Sequence, residues 1–261
     1  MIEVDGLTKL YGDFAAVRDL SFVVRPGELL GLVGPNGAGK TSSLRCLAGI
    51  IPASQGTICI CGQDIKLNPI GAKREMAFFP DEPRLFDYLT VRQHLEFTAR
   101  LYQVADSAIR IPPLLADLEL SDKEHQLPSE LSRGMKQKVA IGCGLLHSPK
   151  VLLFDEPLTG LDPLAIRRMK QTIQRLGREG ASIVISSHLL HLLEEVCTHV
   201  LIVKQGVRVA YGTLGEVRTM FAAQGDLSLE DVFVRIATQD GAASGPGISE
   251  PPVVPPKIPP A

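Results

Sequence analysis

Apolar residues in this chain fall into short continuous runs, separated by turn residues and by stretches with helical spacing. Leu20–Val24 and Glu28–Val33 are two such runs, split by Pro26-Gly27. They predict two strands and a turn. A glycine-rich loop follows, then a predicted helix from Lys40 to about Gly49. Thr57–Ile60 and Met76–Phe79 predict further short strands. At Thr90 the spacing changes. Thr90 and Gln93 fit a reciprocal helix cap, and Val91, Leu95, Thr98 and Leu101-Tyr102 recur at helical intervals. Ser121 with Glu124 predicts another helix start, and a further helix is expected through Met135–Leu146. Residues from about 82 to 148 therefore read as a mostly helical insert.

The alternating pattern then resumes. Val151–Phe154 is a run suited to a buried parallel strand. Asp162 and Pro163 suit the cap and first position of a helix whose apolar face is Ile166, Met169, Ile173 and Leu176. Gly177 and Gly180 are expected to end it. Ile183–Ser186 predicts a strand and Leu189–Val196 a helix. Such alternation argues for an α/β fold: a parallel sheet with helices on both faces.

Composition shifts at the C-terminal end. The last 21 residues, GAASGPGISEPPVVPPKIPPA, carry seven prolines and little to bury. A disordered, partly polyproline tail is expected over 238–261, after a domain spanning 1–237. The N-terminus lacks a charged-then-apolar leader, and no run of about 20 apolar residues is free of charge. Membrane contact, if any, is thus expected through a partner rather than by direct insertion. The 261 residues are 45% hydrophobic and carry a formal net charge of −2. That balance supplies a core but no global basic field, so no nucleic-acid partner is expected. The five cysteines, Cys46, Cys59, Cys61, Cys143 and Cys197, fit neither a disulfide framework nor zinc spacing, and are expected to be reduced.

Candidate chemistry begins at Gly34-Pro35-Asn36-Gly37-Ala38-Gly39-Lys40-Thr41, which fits G-x-x-x-x-G-K-[ST] between a strand and a helix. Bare glycine backbone lets N–H groups ring a phosphate, and the helix points its positive end at the same place. Lys40 neutralises the outer phosphates of ATP, Thr41 offers a hydroxyl to Mg²⁺, and Ser42 reaches an inner phosphate. Asp155 and Glu156 directly follow the strand Val151–Phe154, which places them at the sheet's carboxyl edge beside this loop. Asp155 suits Mg²⁺, and Glu156 suits general-base activation of water.

With these motifs the chain resembles the nucleotide-binding subunits of ABC transporters over nearly all of residues 1–237. Leu131-Ser132-Arg133-Gly134-Met135 is similar to the family's signature motif, and Leu161-Asp162 to its D-loop. His188 is similar to its switch histidine, and Tyr11 to the aromatic on which adenine stacks. The resemblance implies a P-loop NTPase core with a mostly parallel sheet, an antiparallel β part at the N-terminus and a helical insert. It implies an ATPase in which two copies sandwich two ATPs, with Ser132 and Gly134 of one copy serving the ATP of the other. It further implies separate membrane permease subunits, a place at the cytoplasmic face of the membrane, and export of a substrate that this chain does not specify. A soluble ATPase switch of the same type, unconnected with transport, is the alternative.

The chain departs from the family pattern in two motifs. Arg133 replaces a signature glycine, and Met135 its glutamine. Asp81 stands where the family has a glutamine that contacts the metal or water. Asp81 is expected to bind Mg²⁺ in its place.

Overall fold

The computed structural model describes residues 1–159, 161–221 and 228–238. The tail expected over 238–261 lies, past Thr238, outside the described residues. The chain opens with the antiparallel hairpin of β1 (Ile2–Tyr11) and β2 (Phe14–Val24). β3 (Leu29–Val33) leads through the glycine-rich loop into α1 (Lys40–Leu47). β4 (Gln55–Ile60) and β5 (Gln63–Asp64) complete a four-stranded antiparallel sheet in the order β2-β1-β4-β5. The short helix α2 (Pro69–Arg74), capped by Asn68, precedes β6 (Met76–Phe79).

Three helices follow: α3 (Val91–Leu101), α4 (Ser107–Asp117) and α5 (Arg133–Leu145). Strands and helices then alternate as β7 (Val151–Asp155), α6 (Pro163–Arg178), β8 (Ser182–Ser186) and α7 (Leu190–Val196). β9 (His199–Lys204) and β10 (Val207–Thr213) form a second hairpin, and α8 (Leu214–Phe221) and α9 (Leu229–Thr238) close the described chain. The second sheet runs β10-β9-β3-β8-β7-β6, parallel except for β10.

Both faces of this sheet are covered, which is why its strands read as unbroken apolar runs. Leu29, Leu152, Phe154, Ile183, Ile185, Val200 and Ile202 point to one face, where α6, α7 and the closing helices pack. Leu30, Leu32, Val151, Leu153, Val184, Leu201 and Val203 point to the other, against α1 and the antiparallel sheet. A side-chain period of two sorts each run between two cores. Each fully buried Leu, Ile or Phe stabilises the fold by roughly 1.5–3 kcal/mol. Phe79 and Phe154 stack between β6 and β7, with centroids 4.5 Å apart.

The three inserted helices have a separate core of Val91, Leu95, Ala99, Ile111, Leu115, Leu120, Leu131, Val139 and Leu146. Thr90 and Gln93 make the expected reciprocal cap. One local expectation needs correction. The helix start expected at Ser121 is a single 3₁₀ turn, Ser121–Lys123, because Glu124 spends its carboxylate on Arg92 of α3, at 2.5 Å, instead of capping. A helix, α4, runs through Pro112-Pro113, where propensity argues against one. Ile111 and Leu115, both buried, anchor it.

The β9–β10 hairpin was not anticipated. Its turn residues Gln205 and Gly206 both have positive φ, 50° and 80°, which suits a tight hairpin between twisted strands.

Candidate functional site

β3 delivers the chain to the loop 34–39 at the carboxyl edge of the parallel sheet, and α1 begins at Lys40. Two of its glycines are fixed by close approach. A Cβ on Gly34 would lie 2.3 Å from the Val203 carbonyl oxygen, and one on Gly39 2.3 Å from that of Ala16. The loop is braced from the second hairpin as well. The Gly206 N–H donates to the Ala38 carbonyl at 3.1 Å, and the Arg18 N–H donates to the Gly206 carbonyl at 2.8 Å.

Lys40 is buried, and its ammonium donates to the carbonyls of Gly34 at 2.7 Å and Pro35 at 3.2 Å. Burial lowers its pKa, opposed by the negative charges of Glu156 and Asp155. The ammonium therefore folds back over its own loop, next to two carboxylates, and an anionic phosphate is the partner this arrangement favours. Ser42 follows in the first turn of α1, half-buried.

β7 brings Asp155 alongside. Thr41 Oγ1 donates to Asp155 Oδ1 at 3.3 Å, and Ser186 Oγ donates to the same oxygen at 2.7 Å. These are hard oxygen donors, the kind that suits Mg²⁺. Among the described residues no cluster of three or more His, Cys, Asp or Glu could hold a metal. The pair therefore fits an ion that takes its remaining ligands from phosphate and water.

Glu156 has φ 51°, a left-handed conformation that costs a non-glycine residue about 1–2 kcal/mol. Its N–H is held by Ser186, through both the carbonyl and Oγ at 3.1 Å. The turn aims its carboxylate at β8's end. His188 Nδ1 lies 2.8 Å from Glu156 Oε2, and the His188 N–H donates to the same oxygen at 3.3 Å. Thr159 Oγ1 donates there at 3.4 Å. The structure thus joins Thr41, Asp155, Glu156 and His188 through Ser186, with Lys40 within electrostatic reach of both acids.

Ser132, Gly134 and Asp162 form a second group, in a cleft of about 730 Å³ between α5 and α6. Ser132 caps α5, its Oγ accepting from the Met135 N–H at 3.3 Å. The N–H groups of Arg133 and Gly134 have no partner within the helix. Asp162 caps α6, accepting from Leu164 and Ala165, each at 2.9 Å. Tyr11 ends β1, half-exposed, with the Lys9 ammonium 5.0 Å over its ring. Asp81, in the loop after β6, lines a cavity of about 800 Å³ that reaches Asp155, and one of its oxygens pairs with Arg133 at 3.0 Å.

Sequence reasoning missed Ser186, which orients both acids, and Gly206, which braces the loop. The signal for Ser186 was a hydroxyl at a strand's carboxyl end. For Gly206 it was a glycine between two apolar β-branched runs. All five cysteines are free, and burial raises Cys197 to about 12 and Cys46 and Cys143 to about 11.

Comparison with known proteins adds ancestry to this geometry. The family model for ABC transporter matches residues 17–159. The ABC-type transporter ATP-binding protein EcsA of Bacillus subtilis is 34% identical over 242 residues, covering 92% of this chain and 98% of the relative. Nod factor export ATP-binding protein I of Paraburkholderia xenovorans is 37% identical over 213 residues, covering 81% of this chain and 70% of the relative. A solved ATP-binding subunit of an ABC transporter superposes with a TM-score of 0.86 at 34% identity, over 91% of this chain and 99% of its own. A dimeric ATP-binding cassette bound to ADP and Pi shares the fold, with a TM-score of 0.74 at 23% identity, over 82% of this chain and 99% of its own. By sequence and by fold, this chain belongs to the ABC transporter family, as an ATP-binding and ATP-hydrolysing subunit.

Proposed function

We propose that two copies of this chain close around two ATP molecules, hydrolyse them and drive export through separate membrane-spanning subunits. The observation that carries the catalytic part is the 2.8 Å contact between Glu156 and His188, beside the Thr41–Asp155 pair. Lys40 exchanges its loop carbonyls for the outer phosphates, and the amides of residues 34–39 with Ser42 ring the inner ones. Thr41 and Asp155 would hold Mg²⁺, which would supply charge neutralisation at the phosphates. Glu156 takes the proton of the attacking water, while His188 fixes the orientation of that carboxylate. Tyr11 stacks on adenine. Ser132 and Gly134 of one copy cover the γ-phosphate bound by the other, and Asp162 sets the start of α6 at the same cleft.

No helix among the described residues is long and apolar enough to cross a membrane. The membrane-spanning partner docks, in this reading, at the cytoplasmic face, on the insert and the loop 81–87. Phe86, Tyr88 and Phe97 are exposed there. Relatives named for Nod factor export support the export direction.

Glu156→Gln is expected to bind ATP and to accumulate as an ATP-bound dimer. Its turnover should fall about a hundredfold or more. Single-turnover ATPase and sedimentation read both. Unimpaired turnover removes Glu156 from the chemistry. Permease subunits copurifying from detergent-solubilised membranes test the transport part, and their absence favours the soluble switch.

A further inference from the structure

Two of the three positions that depart from the family pattern are in contact with each other. Asp81 lies in the loop after β6 and Arg133 is the first residue of α5, 52 positions later, yet their side chains pair at 3.0 Å. Each charge is disfavoured alone. A carboxylate beside a triphosphate meets like charge, and a cation in the first turn of a helix opposes the helix dipole. Paired, each cancels the other's disadvantage.

Both side chains are about half exposed, 48% for Arg133 and 46% for Asp81. A pair in water forms and breaks at little cost, so it can act as a reversible tie. Its ends reach different places. Asp81 faces the cavity that extends to Asp155, in the chain's own ATP site. Arg133 is flanked by Ser132 and Gly134, which line the cleft at the start of α6.

We propose that Asp81 and Arg133 are a positioning pair that couples the two ATP sites of the dimer. The pair holds the loop that borders a copy's own nucleotide site to the helix end that serves the opposite copy's nucleotide. This rests on the reading that Ser132 and Gly134 complete the second copy's site. Neither residue of the pair takes part in bond breaking.

A double-mutant cycle tests it in the full chain carrying Glu156→Gln. Asp81→Asn, Arg133→Gln, the two combined, and the charge-conserving pair Asp81→Glu/Arg133→Lys are compared. Sedimentation velocity gives the ATP concentration for half-maximal dimer. Titration of a fluorescent ATP analogue into protein too dilute to dimerise gives the monomer's own affinity. Each single neutralisation should raise the dimer midpoint about two- to fivefold, the range an exposed pair supplies. The combined variant should show the same shift as either single, the conserving pair none, and monomer affinity should stay constant throughout. Multiplicative shifts, or a conserving pair that fails to restore the midpoint, overturn the coupling role. Loss of monomer affinity in Asp81→Asn alone assigns Asp81 to the metal and also overturns it. If the Glu156→Gln parent binds ATP and never dimerises, the composite-site reading itself has failed, and the proposal with it.

Discussion

Gly134→Ala separates folding from function at the N-terminus of α5. A Cβ built there meets only Leu161 Cδ2, at 3.8 Å, which is ordinary contact, and the backbone is not in the left-handed region. The folded chain therefore accepts the methyl group. Alanine restricts the unfolded chain more than glycine does, so stability should rise by about 0.4–1 kcal/mol. For a chain of this size that is about 1–4 °C in Tm. Activity should move the other way. In the proposed composite site the Gly134 N–H serves a phosphate that approaches from the second copy, and the methyl group would stand in that approach. Losing one hydrogen bond to a charged group costs about 1.5–3 kcal/mol, or roughly 10- to 150-fold in ATPase rate at dimer-forming concentrations. Differential scanning fluorimetry and a phosphate-release assay on one preparation give both numbers. A raised Tm with unchanged ATPase would refute the role of Gly134 in a composite site. A lowered Tm would refute the packing argument.

Two further predictions concern α5 and its end. Gly144→Ala would place a Cβ 2.3 Å from Phe79 Cε1 and 2.5 Å from Cζ, and Phe79 cannot recede because it is stacked on Phe154. Overpacking costs about 1–3 kcal/mol against a helix gain of at most about 1. Urea unfolding should show a net loss, relieved when Phe79→Leu is added; equal losses with and without Phe79→Leu would contradict this. His147 stacks on Tyr102 at 3.9 Å and has a buried Nδ1 without a hydrogen-bond partner. Burial lowers its pKa below 6.5. Its contribution is fully present above about pH 6.5 and lost as pH falls through the lowered folded value. His147→Phe should flatten the acid limb of stability in that window, read by urea unfolding from pH 7.5 to 5; an unaltered limb excludes His147 as its source.

The parallel sheet was legible because burial on both faces demands unbroken apolar runs, as at Val151–Phe154 and Ile183–Ser186. The phosphate loop was legible because close backbone approach at Gly34 and Gly39 admits no side chain. Asp155 and Glu156 were placed correctly by the end of a strand. The α4 helix was not legible, since two prolines outweigh Ile111 and Leu115 until the tertiary pocket that buries them is known. The role of Glu124 was hidden likewise, because Arg92 lies 32 residues away in sequence. Nor was the Asp81–Arg133 contact readable, as nothing local to either residue names the other.

The position of β8 has a consequence for biosynthesis. It lies between β3, which carries the phosphate loop, and β7, which carries the acid pair. Those two strands never pair with each other, and β8 is made last of the three. A nascent chain stalled after Glu156 has the phosphate loop and the acid pair but no strand to join them. Chains emerge and fold from the N-terminus onward. Nucleotide can therefore act as a template for the native sheet only after residues 182–186 have left the ribosome. Until then both edges of β3 and one edge of β7 stand unpaired, open to chaperones and to aggregation.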